Sequence, residues 1–467
     1  MTPTRIAIVG GGISGLVAAY RLRRALGPEV TIDLYETASR LGGVLRTVDV
    51  AGQPVDVGAE AFIVRRPEAV DLVTELGLAD RIVSPTPRRP AIWARGDLHP
   101  MPSPALMGIP ASADAVAGLA DADDLARIGS ESQRPFAWRP GTDMSVGELV
   151  AGRFGPSVVA RSVDPMLGGV YSSLAADIGV REAIPALAAR LDEGSPSLST
   201  AVDDLLGRGG ASGPVFGALI GGYRILLEAL AAAAHPTVRT GATVTAVTPV
   251  ADRWSVRTEG VPAADAGYDG VILAVPAWVT AQLLAQAFPD VSAPLASVEP
   301  ASSVVLSIAL APATPLPQHS GVLVATGEEL RPKAFTLSSQ KWAHIGSGDA
   351  PVSVRASFGR YGDPVPDAAT VPDIDSRVRS WALADLDRIC AAAGLAPVSA
   401  HVLGTRLQRW TGGLPRYAPG HLTRMREVLD AVPARLALAG SSYAGVGVPA
   451  CIGQAGRAAD RLLAGLG

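Results

Sequence analysis

Arg5-Ile6-Ala7-Ile8-Val9-Gly10-Gly11-Gly12-Ile13-Ser14-Gly15 begins the chain with a buried-strand run that ends directly in glycines. A helix-like segment follows from Leu16 to Leu26, then a second strand-like run, Thr31-Ile32-Asp33-Leu34-Tyr35, which stops at Glu36. In such a strand–turn–helix, Gly10 permits the tight turn, Gly12 lets a pyrophosphate approach the backbone, and Gly15 lets helix pack close to strand. The helix start around Gly11, Ile13 and Ser14 offers unpaired N–H groups and a partial positive charge for phosphates. Glu36 lies 21 residues after Gly15, near the spacing of about 20 for a carboxylate that binds ribose hydroxyls. Its charge would repel the 2′-phosphate of NADP. The stretch therefore predicts a Rossmann-like dinucleotide-binding unit with residues 10–15 and Glu36 as ligands.

Two further runs follow closely, Arg40-Leu41-Gly42-Gly43-Val44-Leu45-Arg46-Thr47 and Asp56-Val57-Gly58-Ala59-Glu60-Ala61-Phe62. Paired glycines allow a bulky ligand close to the backbone, and the Arg46 guanidinium matches pyrophosphate geometry. The pattern resembles the flavin amine oxidase superfamily, in which an acid, Arg-x-Gly-Gly and a later Asp-x-Gly surround FAD. The resemblance implies FAD rather than NAD, and adds Arg40, Gly43, Arg46, Val57, Gly58, Ala59 and Glu60 to the cofactor candidates. Residues 238–247 read as a strand pair, with Val244 at a family position whose backbone faces the adenine end. Gly270-Val271-Ile272-Leu273-Ala274-Val275-Pro276 reads as a buried parallel strand ending in a turn, and Leu436-Ala437-Leu438-Ala439-Gly440 as another. After the latter, Ser441-Ser442-Tyr443-Ala444-Gly445-Val446-Gly447-Val448-Pro449 leads into a helix reaching Leu463. The resemblance implies that backbone N–H groups at Val446, Gly447 and Val448 face the isoalloxazine ring, where they stabilise charge on reduction.

The 467 residues allow two or three domains, and 48% hydrophobic against 18% charged residues argues for a large core. The flavin signals occupy 1–65, 220–280 and 405–467. We expect an α/β (α+β mixed) fold in which this FAD-binding domain is interleaved with a helical region at 66–219 and a mixed-sheet region at 281–404. Glu68 to Leu78 reads as a helix closed by Gly77, 85–110 as turns and short strands, and 302–310 and 352–358 as strands. A glycine-rich patch at 207–213 reads as a surface loop. A net charge of −4 carries no basic footprint for nucleic acid. Only Lys333 and Lys341 are lysines among the 40 basic residues, so the other 38 are arginine. Cys390 and Cys451 suggest neither a metal site nor a disulfide framework. No apolar run is long enough to span a membrane, and the chain starts straight into its first strand. We expect a cytoplasmic protein, with peripheral membrane contact left open and the oligomeric state unspecified.

A narrower resemblance lies in Gly96-Asp97-Leu98-His99-Pro100-Met101-Pro102, Leu167-Gly168-Gly169-Val170-Tyr171, Arg409-Trp410-(x)3-Leu414-Pro415-Arg416-Tyr417-(x)2-Gly420-His421 and Tyr443 to Ile452. In this order and spacing, these segments resemble the porphyrinogen oxidases of haem synthesis, most nearly the Gram-positive-type coproporphyrinogen III oxidase branch. That branch implies oxidation of coproporphyrinogen III to coproporphyrin III, six hydrogens leaving in pairs through flavin to three O2, with three H2O2 released. It requires no side-chain base, so we assign no catalytic residue; His99 and His421 are the histidines to locate. Gly169, Val170 and Tyr171 are family-like pocket residues, and Arg65 and Arg66 are candidates for the propionates. Transient hand-off of a photoreactive product to a ferrochelatase is compatible with this reading. Protoporphyrinogen IX remains an alternative substrate, and an amine oxidase an alternative activity.

Overall fold

The computed structural model describes residues 4–207, 213–260, 267–363 and 371–467. Residues 208–212, most of the expected glycine-rich loop, lie outside the described residues.

The strand Arg5–Val9 pairs in parallel with Thr31–Glu36 on one side and Gly270–Leu273 on the other. Thr237–Thr240 and Leu436–Leu438 complete a five-stranded parallel sheet at its two edges. Alternate side chains enter different cores: Ile6, Ile8, Ile32, Leu34 and Ile272 on one face, and Ala7, Val9, Tyr35, Val271 and Leu273 on the other. Both faces are covered, which is why these runs are apolar without a polar alternation. The helices Ile13–Leu26, Arg224–Ala234 and Val448–Leu466 pack on the first face. The hairpin of Thr243–Val250 with Arg253–Glu259 and the helices Ala277–Leu284, Pro289–Ala296 and His421–Ala431 pack on the second.

Residues 238–247 differ from the expected strand pair. Thr237–Thr240 lies beside Thr31–Glu36, whereas Thr243–Val250 pairs antiparallel with Arg253–Glu259. Gly241 at φ 68° turns the chain between the two sheets, so adjacent strands belong to different ladders. The helix Pro67–Glu75 also stops before Leu78. Gly77 at φ 73° places its N–H on Thr74 O (3.0 Å) and that of Leu78 on Val73 O (2.9 Å), a Schellman closure.

The second half is built on a seven-stranded mixed sheet. Its order is Val402–Pro415, Pro300–Leu310, Val352–Phe358, Ala334–Thr336, Gly321–Val324, Ala91–Ala94 and Asp97–Pro100. The helix Ile374–Ala392 backs it through Val378, Leu386 and Ile389. Helices between Ala122 and Gly207 form a separate core around Phe154, Leu167 and Leu187, into which Tyr417 inserts from beyond the sheet. Among the described residues, no helix is long and apolar enough to cross a membrane.

Candidate active site

Two helices on the first face of the parallel sheet start at a glycine with no side-chain cap. Gly12 is the N-cap of Ile13–Leu26, and Gly447 that of Val448–Leu466. Their first-turn N–H groups therefore have no side-chain acceptor. The helix Arg224–Ala234 differs, because Thr47 Oγ1 accepts from Arg224 N (3.0 Å) and Asp56 from Tyr223 N (3.1 Å). The glycines of the first loop are held for different reasons. A Cβ on Gly10 (φ 106°) would lie 2.4 Å from Ala274 O, and one on Gly15 would lie 1.9 Å from Gly10 O. A Cβ on Gly12 would meet only Gly43 Cα, at 3.8 Å, and one on Gly447 only Pro449 Cδ, at 3.8 Å. Protein atoms explain Gly10 and Gly15; Gly12 and Gly447 are bare toward open space. That pairing of uncapped N–H donors with glycine fits a phosphate-bearing, planar cofactor.

Glu36 stands at the end of its strand, where Oε2 accepts from Gly11 N (2.8 Å) and Oε1 from Ala38 N (2.8 Å). Ala242 N donates to Glu36 O (3.1 Å), which brings Val244 to the same end of the sheet. Gly42 N donates to Gly11 O (2.8 Å), tying the Gly42–Gly43 turn to the first loop. Arg40 closes that turn by donating to the carbonyls of Leu41, Gly43 and Leu45 (3.0, 2.6 and 3.3 Å). Arg46 donates to Gln408 Oε1 (2.7 Å), linking the first block to the long strand of the mixed sheet. Val57 is buried, with its carbonyl taking Trp410 Nε1–H (2.8 Å), and Gly58 O accepts from Arg355 Nη2 (2.5 Å). Ala59 packs against the core on the first face of the parallel sheet.

Glu60, only 10% exposed in its side chain, faces Lys341 (3.2 Å), Arg355 (3.8 Å) and the Ser338 hydroxyl (2.6 Å). It lines a cavity of about 190 Å³ with Asp56, Ser338, Trp342 and His344. Burial alone would raise its carboxyl, but the two cations and Ser338 hold it at about 2, below an ordinary 4.5. A depressed acid contributes stability above its unfolded pKa, and that stability is lost as pH falls through 4.5 toward about 2. Glu60→Gln is therefore expected to be about 3 kcal/mol less stable than wild type at pH 7. By about pH 3.5 the gap should narrow by about 1 kcal/mol. Urea denaturation of both proteins at the two pH values measures it; a constant gap would exclude the ion-pair account.

The segment from 441 to 447 is held from below by two side chains. Tyr417 Oη donates to Ser441 O (2.6 Å) and accepts from Gly445 N (2.7 Å), while His421 Nε2 meets Ser442 O (2.6 Å). The Tyr417 ring lies 4.3 Å from that of His421 and 6.0 Å from that of Tyr171. Tyr171 ends the helix Asp164–Tyr171, whose Gly169 and Val170 (44% exposed) face outward. The pocket candidates 169–171 and the turn bearing Val446, Gly447 and Val448 are thus joined through one tyrosine. Sequence reasoning assigned Tyr417 no role, although the motif containing it and His421 was the available signal. Arg66 pairs with Glu68 (2.9 Å), and its Nη1 lies 3.9 Å from where a Gly445 Cβ would stand. Arg65 turns away to donate to Gly213 O (3.0 Å). His99 braces its own hairpin through Ala94 O (2.9 Å). Burial pushes the Cys451 thiol up to about 12, which removes it as a nucleophile at neutral pH.

Among the described residues, no group of three or more His, Cys, Asp or Glu could hold a metal ion. Residues 13–463 match the flavin containing amine oxidoreductase family. The chain is 46% identical over 466 residues to the coproporphyrinogen III oxidase of Mycobacterium tuberculosis (strain ATCC 25618 / H37Rv), covering 100% of this chain and 99% of that one. It is 26% identical over 472 residues to the coproporphyrinogen III oxidase of Bacillus subtilis (strain 168), covering 97% and 96%. A solved protein provisionally described as a protoporphyrinogen oxidase, from Exiguobacterium sp. 255-15, aligns with a TM-score of 0.84 at 26% identity over 98% of both chains. Putrescine oxidase bound to putrescine shares the fold, with a TM-score of 0.67 at 18% identity over 99% of both chains. Matched along nearly its whole length, the chain is an FAD-dependent oxidoreductase and belongs to the flavin containing amine oxidoreductases.

Proposed function

We propose that the protein oxidises coproporphyrinogen III to coproporphyrin III, with O2 accepting the electrons and H2O2 released. The observation that supports this most is the Tyr171–Tyr417 contact, which builds an outward-facing pocket segment and the C-terminal glycine turn as one unit. The names of the relatives supply the substrate class.

Bound FAD supplies the hydride acceptor, so the chain's residues orient, bind and exclude water. Residues 10–15 take the pyrophosphate at the start of Ile13–Leu26, and Glu36 takes ribose hydroxyls. Val244 borders the adenine end. Arg40 and Gly43 shape the loop over the phosphates, and Arg46, Val57, Gly58, Ala59 and Glu60 support the wall beside it. Val446, Gly447 and Val448 present backbone donors to the flavin ring. Gly169, Val170 and Tyr171 receive the macrocycle. Arg66, at the Gly445 turn, is the nearer propionate partner, and Arg65 the more remote. No side-chain base is assigned. We assign 1–65, 220–280 and 405–467 to the FAD unit, and 66–219 and 281–404 to the substrate unit. Hand-off of the photoreactive product to a ferrochelatase fits an intracellular enzyme of this kind.

Protoporphyrinogen IX is the second reading, favoured by the description of the Exiguobacterium protein. Porphyrin fluorescence from FAD-loaded protein in air, with each porphyrinogen in turn, separates the two. Faster coproporphyrin III formation, with about three H2O2 per porphyrin, is the expected result. Faster protoporphyrin IX would move the enzyme to the other substrate, and no gain over autoxidation on either would end the proposal.

A further inference from the structure

Lys333, 7% exposed, donates from Nζ to Ser172 Oγ (2.5 Å) and Gly359 O (2.6 Å). Ser172 ends the helix Asp164–Tyr171 in a left-handed conformation, φ 52°. Arg360 follows Gly359 and donates from Nη2 to Val324 O (3.1 Å), while its Nε is buried with no acceptor. Gly168 makes room for it: a Cβ there would stand 3.3 Å from Arg360 Nε. Two cations therefore share the space beneath residues 168–172. Burial first, then the Arg360 charge, pull the Lys333 ammonium down to about 7, and burial lowers Arg360 as well. The acids nearest in effect are Asp363, on the same loop, and Asp164, at the start of the helix. Asp164 is engaged elsewhere, accepting from Ala175 N (2.8 Å) and Thr326 Oγ1 (2.8 Å).

Among the described residues, neither Lys333 nor Arg360 forms an ion pair. Adjacent buried like charges are costly unless an anion joins them, and carbonyls at the helix C-terminus offset only part of that cost. Lys333 spends two of its three ammonium protons on Ser172 and Gly359, and the Arg360 Nε–H has no acceptor, so each residue keeps a donor for a carboxylate. We infer that Lys333 and Arg360 form a carboxylate subsite at the end of the helix Asp164–Tyr171 that takes a propionate of the macrocycle. The inference rests on the proposed porphyrinogen substrate. It makes these two residues a determinant of preference, because coproporphyrinogen carries four propionates and protoporphyrinogen two.

The test uses FAD-loaded wild type, Lys333→Met and Arg360→Lys, each titrated with coproporphyrin III and with its tetramethyl ester by fluorescence quenching. Lys333→Met is expected to bind the free acid about tenfold more weakly with unchanged ester affinity, and its kcat/KM ratio for copro- over protoporphyrinogen should fall similarly. Arg360→Lys should lose less, since it keeps the charge and gives up only the fork. Free-acid binding by Lys333→Met equal to wild type, with wild type still preferring acid to ester, overturns the subsite and leaves the proposed function standing. No binding of the free acid by wild type overturns both. Should Lys333→Met fail to load FAD, Arg360→Lys decides in the same titration: free-acid binding equal to wild type overturns the subsite.

Discussion

A Gly12→Ala protein should fold normally and purify without flavin. Gly12 has φ −73° and ψ −178°, extended backbone open to any residue, so alanine brings no strain. Its Cβ would meet nothing in the protein nearer than Gly43 Cα at 3.8 Å. On the proposed cofactor site, the position is bare for a pyrophosphate. A methyl group there stands between the first-turn N–H donors of Ile13–Leu26 and a pyrophosphate, and charge-assisted hydrogen bonds contribute about 1.5–3 kcal/mol each. The loss of one or two predicts FAD binding weaker by about 100-fold. Gly15→Ala is the contrast, since its Cβ would fall 1.9 Å from Gly10 O and the helix must shift off the strand. Apoprotein melting should therefore match wild type within about 2 °C for Gly12→Ala and drop sharply for Gly15→Ala. Comparison must be made on apoproteins, because bound FAD stabilises by mass action. A Gly12→Ala protein with full flavin absorbance would sink the phosphate reading of the loop.

The same pair shows what a sequence discloses and what it hides. Strand, glycine turn and helix start are local signals, so residues 5–36 and 436–449 are legible without a structure, and the alternation of Ile6 and Ile8 with Ala7 and Val9 between two cores follows from the strand alone. Side-chain destinations are not local. Arg46 meets Gln408 across 362 residues, and Glu60 meets Lys341 across 281. No periodicity links such partners, so the sequence does not disclose what a charged residue beside a glycine motif holds within the protein. Arg40 is the clearest instance: its guanidinium is turned onto three carbonyls of its own loop. The partner of Thr237–Thr240 was hidden for a related reason. Its edge place in the parallel sheet depends on pairing with Thr31–Glu36, about 200 residues earlier, and not on the neighbouring strand.

Removing one oxygen atom, by Tyr417→Phe, is expected to slow turnover at least tenfold while FAD stays bound. Ser441 O can only accept, so the phenol donates to it, and the Gly445 N–H then donates to the phenol. Phenylalanine keeps the ring, 1% exposed, against Tyr171 and His421, so packing is preserved. What is lost is both hydrogen bonds, leaving a carbonyl and an N–H unpaired at about 1–3 kcal/mol each. His421 does not compensate. Its partner Ser442 O requires the Nε2–H tautomer, and burial lowers its pKa to about 4, so it stays neutral in the working range and fixes only the middle of the turn. A slackened turn aims its donors at Val446 to Val448 less well at the reduced flavin, which needs them more than the oxidised form does. The flavin potential should then become more negative, by about 30 mV for each 1.4 kcal/mol of lost stabilisation in a two-electron couple. Potentiometric titration of the bound flavin reads this independently of turnover. If melting falls but potential and visible spectrum match wild type, Tyr417 is a brace without influence on the flavin. If the potential moves, the tyrosine that touches the pocket helix also sets how strongly the site pulls electrons, and occupancy at residues 169–171 has a direct route to the redox centre.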